Sequence, residues 1–180
     1  MIIELGHFTL ILATMLSFLQ SVILLTGSRN YWFNWMNTYR VTAPAQFLLT
    51  GFAFVTLVYA FVVSDFSVAL VASNSHSLKP LIYKISGTWG NHEGSMLLWL
   101  LILTFYGFLV SQFGKNLPIT LRSNVLGIQS LISLAFFCFV LFTSNPFERL
   151  DNPPFDGNGL NPLLQDPGLA FHPPFLYLGY

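Results

Sequence analysis

The chain has 180 residues, of which 54% are apolar and only 8% charged, and its formal net charge is zero. A soluble domain carries about a quarter charged residues, so this composition excludes an ordinary soluble fold. Neutrality gives no sign of a nucleic-acid partner or a polybasic membrane tether, and the single Cys138, inside an apolar run, excludes an internal disulfide or a CxxC or zinc spacing.

Four stretches are long enough to cross a bilayer, which takes about 20 apolar residues in a helix. The first is free of formal charge between Glu4 and Arg29, with an apolar body from Phe8 to Leu25. It lacks a basic leader and is too long for the apolar core of a cleavable signal. The second lies between Arg40 and Asp65, with Pro44 near its start; the third runs from Met96 to Phe113; the fourth runs from Val125 to Phe142. Helix is the expected state of all four, because an isolated strand leaves its backbone unsatisfied in hydrocarbon. The predicted fold class is therefore all-α and polytopic, a single membrane domain over 1–180. HPPFLYLGY stops where a fifth apolar segment begins, which points to a split gene or a truncated sequence.

Four crossings sort the polar residues onto two sides. One side receives the 27–41 and 114–124 loops, with Arg29, Arg40, Lys115 and Arg122 and no acid. The other receives the N-terminus, the 65–94 loop and everything after Thr143, with Lys79, Lys84, Arg149, every acidic residue, and His7, His76, His92 and His172. Only Lys and Arg count in the positive-inside rule, and four against three places the histidine side away from the cytoplasm or matrix.

Between Tyr83 and Trp99 the chain reads YKISGTWGNHEGSMLLW. Gly87 and Gly90 permit tight turns, Asn91 or Ser95 can cap the third helix, and Glu93 suits the positive end of that helix. Trp89 and Trp99 can mark an interface or line a flat ligand. His92 and Glu93 point apart by about 100° on a helix, so on the residues alone the pair reads as an interfacial anchor ahead of a reactive site.

The segment after Thr143 holds seven of the ten prolines. Proline fixes φ and pushes the preceding residue toward extended backbone, so residues 144–174 are expected to form an irregular but ordered loop outside the membrane. Phe147, Phe155, Leu160, Leu163, Leu164, Leu169 and Phe171 are its expected apolar anchors. His172 stands before Pro173 and Pro174, where the chain returns to apolar residues. Two readings of it stand on the residues alone: a metal-ligating imidazole oriented by its surroundings, or a histidine that caps the next helix or bonds a loop carbonyl.

The stretches VASNS, SGTWGNHEGSMLLW, FTSNPFERL and DGNGLNPLLQDPGLAFHPPFLYLGY, with the opening MIIELGHFTLILA, resemble the CcmF family, the haem lyase component of the cytochrome c maturation system. The resemblance runs end to end and covers about the first third or less of a typical member. It implies a protein that receives haem as a substrate in transit from a haem carrier and joins it covalently to the CxxCH motif of apocytochrome c. It also implies a thiol-reducing, apocytochrome-presenting partner of the CcmH type and the C-terminal part of the same family protein. It makes His172 the axial ligand to the haem iron, with Pro173, Pro174, Trp89, His92 and Glu93 as a supporting loop or haem access path, and no catalytic residue assigned.

The family's tryptophan-rich segment, second outward-facing histidine and the membrane histidines that hold a resident b-type haem have no counterpart in these 180 residues. The segment alone is accordingly expected to be inactive as a holocytochrome c synthase. A bacterial cytoplasmic membrane and a mitochondrial inner membrane fit equally. A paralogue serving a nitrite-reductase cytochrome fits the same residues. A respiratory b-type cytochrome subunit would need histidines in mid-membrane, and a helical transporter would need paired charges within the spans.

Overall fold

The structure is a computed structural model that describes residues 1–29, 37–159, 161 and 165–179. Seven helices are present among the described residues: α1 (Ile2–Arg29), α2 (Tyr39–Val63), α3 (Ala69–Asn74), α4 (Leu81–Gly87), α5 (His92–Phe113), α6 (Ile119–Phe142) and α7 (Pro167–Gly179). Four are long and apolar enough to cross a membrane: Ile2–Gly27, Tyr39–Val63, His92–Phe113 and Ile119–Phe142. These are the four expected spans; the third begins ahead of its apolar body, with Asn91 capping its first turn. Residues 30–36 of the expected 27–41 loop lie outside the described residues.

The spans close into a ring in which α1 packs on α2 and α6, α2 on α5, and α5 on α6. Lipid is as apolar as leucine, so helices in a bilayer associate through close approach and buried hydrogen bonds. The α1–α6 seam shows both. Ser17 and Ser130 are buried there and the Ser17 hydroxyl donates to the Ser130 carbonyl at 2.8 Å. Gly127 lets Leu24 and Leu25 of α1 press against its backbone. Leu10, Leu57, Phe61, Leu97, Leu100 and Phe137 fill the core toward one end. Toward the other, Leu24, Tyr39 and Leu126 form a second cluster, with the Arg122 guanidinium 4.8 Å from the Tyr39 ring centre.

Two helices contain interior prolines, and in each a carbonyl freed by a proline takes a side-chain donor from another part of the chain. Pro44 in α2 has no N–H to give to the Arg40 carbonyl one turn earlier, and Gln112 of α5 donates its Nε2 to that carbonyl at 3.1 Å. Pro174 in α7 withholds the corresponding bond from the Ala170 carbonyl, and the Trp89 indole N–H donates to it at 2.8 Å. Prolines persist in membrane helices where neighbours satisfy the freed carbonyls.

The N-terminus of α1, the 64–91 connection and the segment after α6 gather at one end of the ring. Arg149 ion-pairs there with both Glu4 and Asp65 and sits in an antiparallel bridge with Val68. The 65–94 region, expected as a loop, carries the short helices α3 and α4, both beginning beside a backbone bend that single-sequence periodicity does not reveal.

The loop expected over 144–174 is corrected at its far end. Helix α7 begins at Pro167, so His172, Pro173 and Pro174 lie on a helix. Asp166 starts it by accepting from the Gly168 N–H at 2.8 Å, with proline at the first helical position, where no N–H is needed. The apolar anchors are corrected in part. Phe147 is buried, whereas Phe155 and Phe171 are exposed. Leu160, Leu163 and Leu164 lie outside the described residues. Backbone bonds hold the segment instead: Ala69 N–H to the Glu148 carbonyl at 2.9 Å, Leu150 N–H to Ser67 at 2.9 Å, Asn158 N–H to Ala72 at 2.8 Å and Gly159 N–H to Ser75 at 3.0 Å. The proline-rich segment lying against 67–75 keeps enough free N–H groups to pair this way. Gly157 permits the approach, since a Cβ there would stand 2.1 Å from the Ser75 carbonyl oxygen.

Candidate functional site

The turn before α5 is built by its own side chains. Asn91 accepts from the Gly94 N–H at 2.7 Å and donates through Nδ2 to the carbonyls of Gly87 at 2.7 Å and Thr88 at 3.3 Å. Ser95 donates its hydroxyl to the Trp89 carbonyl at 2.7 Å. Gly94 is required by geometry, since an added Cβ would lie 1.6 Å from the Thr88 carbonyl oxygen. The two candidate caps thus divide the work: Asn91 caps the helix and Ser95 fixes the residue that carries the indole.

Trp89 stacks on Phe54 of α2, rings 6.4 Å apart and 17° from parallel, while its N–H reaches α7. Between α7 and the start of α5 lies a cleft of about 330 Å³ lined by Ser86, Trp89, His92, Pro173 and Tyr177 among others. That volume is at the lower end for small-molecule pockets. Ala170, Pro173 and Tyr177 share the cleft-facing side of α7. His172, about 100° round from Pro173 on a helix, is exposed and stands off that wall.

The structure therefore brings Trp89, His92 and Pro173 into one cleft and leaves His172, Pro174 and Glu93 out of its lining. Glu93 sits in the first turn of α5, half-buried, at the favourable end of the helix dipole. His92 is exposed, with Nδ1 held 3.2 Å from Ser144 Oγ and its ring edge-on to Phe139.

The other two histidines are engaged elsewhere on the same face. His7 stacks on Phe147 and lies 3.5 Å from Asn145 Nδ2. His76 accepts from the Leu78 N–H and approaches Asp156 at 3.5 Å. Hydrogen bonds from the Ser77 hydroxyl and N–H, and from the Gly157 N–H, hold the Asp156 carboxyl below its usual range. Among the described residues no three His, Cys, Asp or Glu side chains cluster to hold a metal ion. The sequence did not single out Ser144 or Ala170. Ala170 was findable, because a proline four residues on must free its carbonyl; nothing local marked Ser144, 52 residues from its partner.

The family model for cytochrome C assembly protein matches residues 89–180, from the tryptophan of this cleft to the end of the chain. The chain belongs to the cytochrome c assembly protein family. It is 58% identical over 180 residues to a cytochrome c-type biogenesis protein, ccl1, of Rhodobacter capsulatus, covering all of this chain and 28% of that protein. It is 51% identical over 181 residues to the cytochrome c-type biogenesis protein CcmF of Pseudomonas aeruginosa, again covering 28% of the relative. A solved structure of a cytochrome c haem lyase, CcmF, superposes with a TM-score of 0.84 at 30% identity, over 99% of this chain and 28% of that one. The chain thus spans little more than a quarter of the length of these cytochrome c assembly relatives. The membrane fold is common to both.

Proposed function

We propose that this chain works in cytochrome c biogenesis as the N-terminal part of a CcmF-type haem lyase, and that His172 is an axial ligand to haem in transit. The observation that carries the reading is the placement of His172: exposed, on a helix tied to the Trp89 turn, at the end of the ring where the histidines collect. An axial bond at that point orients the haem ring, so each vinyl group meets one thiol of a CxxCH segment, and such positioning lowers a barrier substantially. Thiol addition to a vinyl group is balanced without an oxidant, since sulfur bonds one carbon and the thiol proton passes to the other. The protein supplies placement and environment.

In this reading a haem carrier delivers haem, a CcmH-type subunit presents the reduced apocytochrome, and the C-terminal part of the family protein supplies the second histidine and the resident b-type haem. The histidine-bearing end faces the periplasm or the intermembrane space. Trp89, Pro173 and His92 flank the access path, and Glu93 and Pro174 support it.

Complementation tests the reading. In a strain lacking the family protein, this chain is co-expressed with the remaining portion of a full-length relative, and covalent haem in a reporter cytochrome c is stained. Wild-type chain restores the stain and His172→Ala abolishes it at equal membrane abundance. Normal maturation with His172→Ala would make His172 a structural residue and remove the ligand assignment.

A further inference from the structure

We propose that Trp89 is the positioning residue for His172, acting through the carbonyl that Pro174 leaves without a helical donor. The inference rests on the ligand reading of His172 and deepens it. Ala170 is 4% exposed, so water cannot readily replace the missing helical bond at its carbonyl. The Trp89 N–H takes that place at 2.8 Å. The donor is itself fixed, by stacking on Phe54, by the Ser95 hydroxyl on its carbonyl, and by the Asn91 bonds to the two residues before it. Ala170 precedes His172 by two residues on the same turn, so this bond sets the height and rotation of the imidazole relative to α5. The imidazole needs such a lock, because a helix with two consecutive prolines has lost two of its own bonds there.

A second tether of α7 provides the control. The Tyr106 hydroxyl donates to the Leu178 carbonyl at 2.8 Å, six residues beyond His172. It docks the same helix without touching the proline-freed carbonyl. A general docking role predicts equal effects from the two tethers; positioning of His172 predicts an effect from Trp89 alone.

The test uses the complex of this chain with the remaining portion of a full-length relative, purified and titrated with haemin. The readouts are the Soret increment that His172→Ala abolishes and its iron–histidine Raman band. Trp89→Phe keeps the ring and removes the donor. It is expected to raise the dissociation constant of the His172-dependent phase about five- to tenfold, the size of one lost bond to a buried carbonyl, and to broaden the Raman band. Tyr106→Phe should stay within about twofold of wild type on the same scale. Adding Pro174→Ala to Trp89→Phe returns an N–H to the Ala170 carbonyl and should restore most of the affinity.

Unchanged binding by Trp89→Phe, an equal loss in Tyr106→Phe, or a double variant no better than Trp89→Phe would each overturn the positioning role. Where Trp89→Phe fails to accumulate, the double variant decides: it recovers both yield and affinity or the inference falls. A titration unaltered by His172→Ala would instead sink the ligand reading itself.

Discussion

At the scale of single residues, backbone contact decides more than side-chain chemistry around the cleft. Gly94 touches the Thr88 carbonyl so closely that Gly94→Ala must displace either α5 or the turn before it. We expect a loss of more than about 2 kcal/mol, read as a lowered unfolding midpoint of the detergent-solubilised protein. Lys79 behaves differently. Burial, and secondarily the neighbouring Lys84, lowers its pKa from 10.5 to about 8, and its ammonium donates to the Asn74 carbonyl at 3.1 Å. The folded chain therefore binds fewer protons than the unfolded chain between about pH 8 and 10.5, and stability rises with pH across that window. Lys79→Met should raise the unfolding midpoint at pH 7 and flatten its dependence over that range. A midpoint that falls between pH 8 and 10 for wild type but not for Lys79→Met would contradict this. The sequence assigned tight turns to Gly87 and Gly90 and not to Gly94, and it showed Lys79 only as one of three cations on its side.

At the scale of elements, length and hydropathy were enough for the four spans, because hydrocarbon leaves a backbone of that length only helix. Their first turns and the short helices α3 and α4 were not legible, since they depend on caps and on contacts with the segment after α6. The start of α7 was hidden for a definite reason. Two prolines ordinarily end a helix, but here Trp89, 81 residues from Ala170 in sequence, supplies a donor that lets it continue. The same logic yields a prediction at Pro44. Gln112→Leu removes the donor to the Arg40 carbonyl, and because that site is partly open the cost should be about 1 kcal/mol. Pro44→Ala supplies the missing N–H, so in that background Gln112→Leu should cost less than half as much. Thermal unfolding of the four proteins of this double-mutant cycle gives the coupling directly.

For the whole molecule, the end that gathers the histidines is fastened by polar contacts. Arg149 joins the start of α1, the end of α2 and the segment after α6 through Glu4 and Asp65. Arg149→Ala breaks both pairs beside the Val68 bridge, and backbone amides of 148–159 should exchange with deuterium at least about tenfold faster, while those of the four spans stay unchanged. Uniform acceleration throughout would show that Arg149 holds the whole fold rather than the 148–159 segment. The orientation of this end is accessible to labelling. With Cys138 replaced by Ala, a single cysteine at Phe155, which is exposed, should react with an impermeant thiol reagent added from the periplasmic or intermembrane-space side. Protection from that side and reaction from the other would invert the proposed topology. The charge count in the sequence leaned this way by one cation. How Arg149 joins three separated segments could not be read there, because its partners lie 84 and 145 residues away.

Helix α5 is pinned near both of its ends to carbonyls of other helices, by Gln112 at one end and by Trp89 just ahead of the other. A stiff helix held at two such points gives α2 and α7 a shared strut, so that a change in the tilt of α5 alters both junctions together.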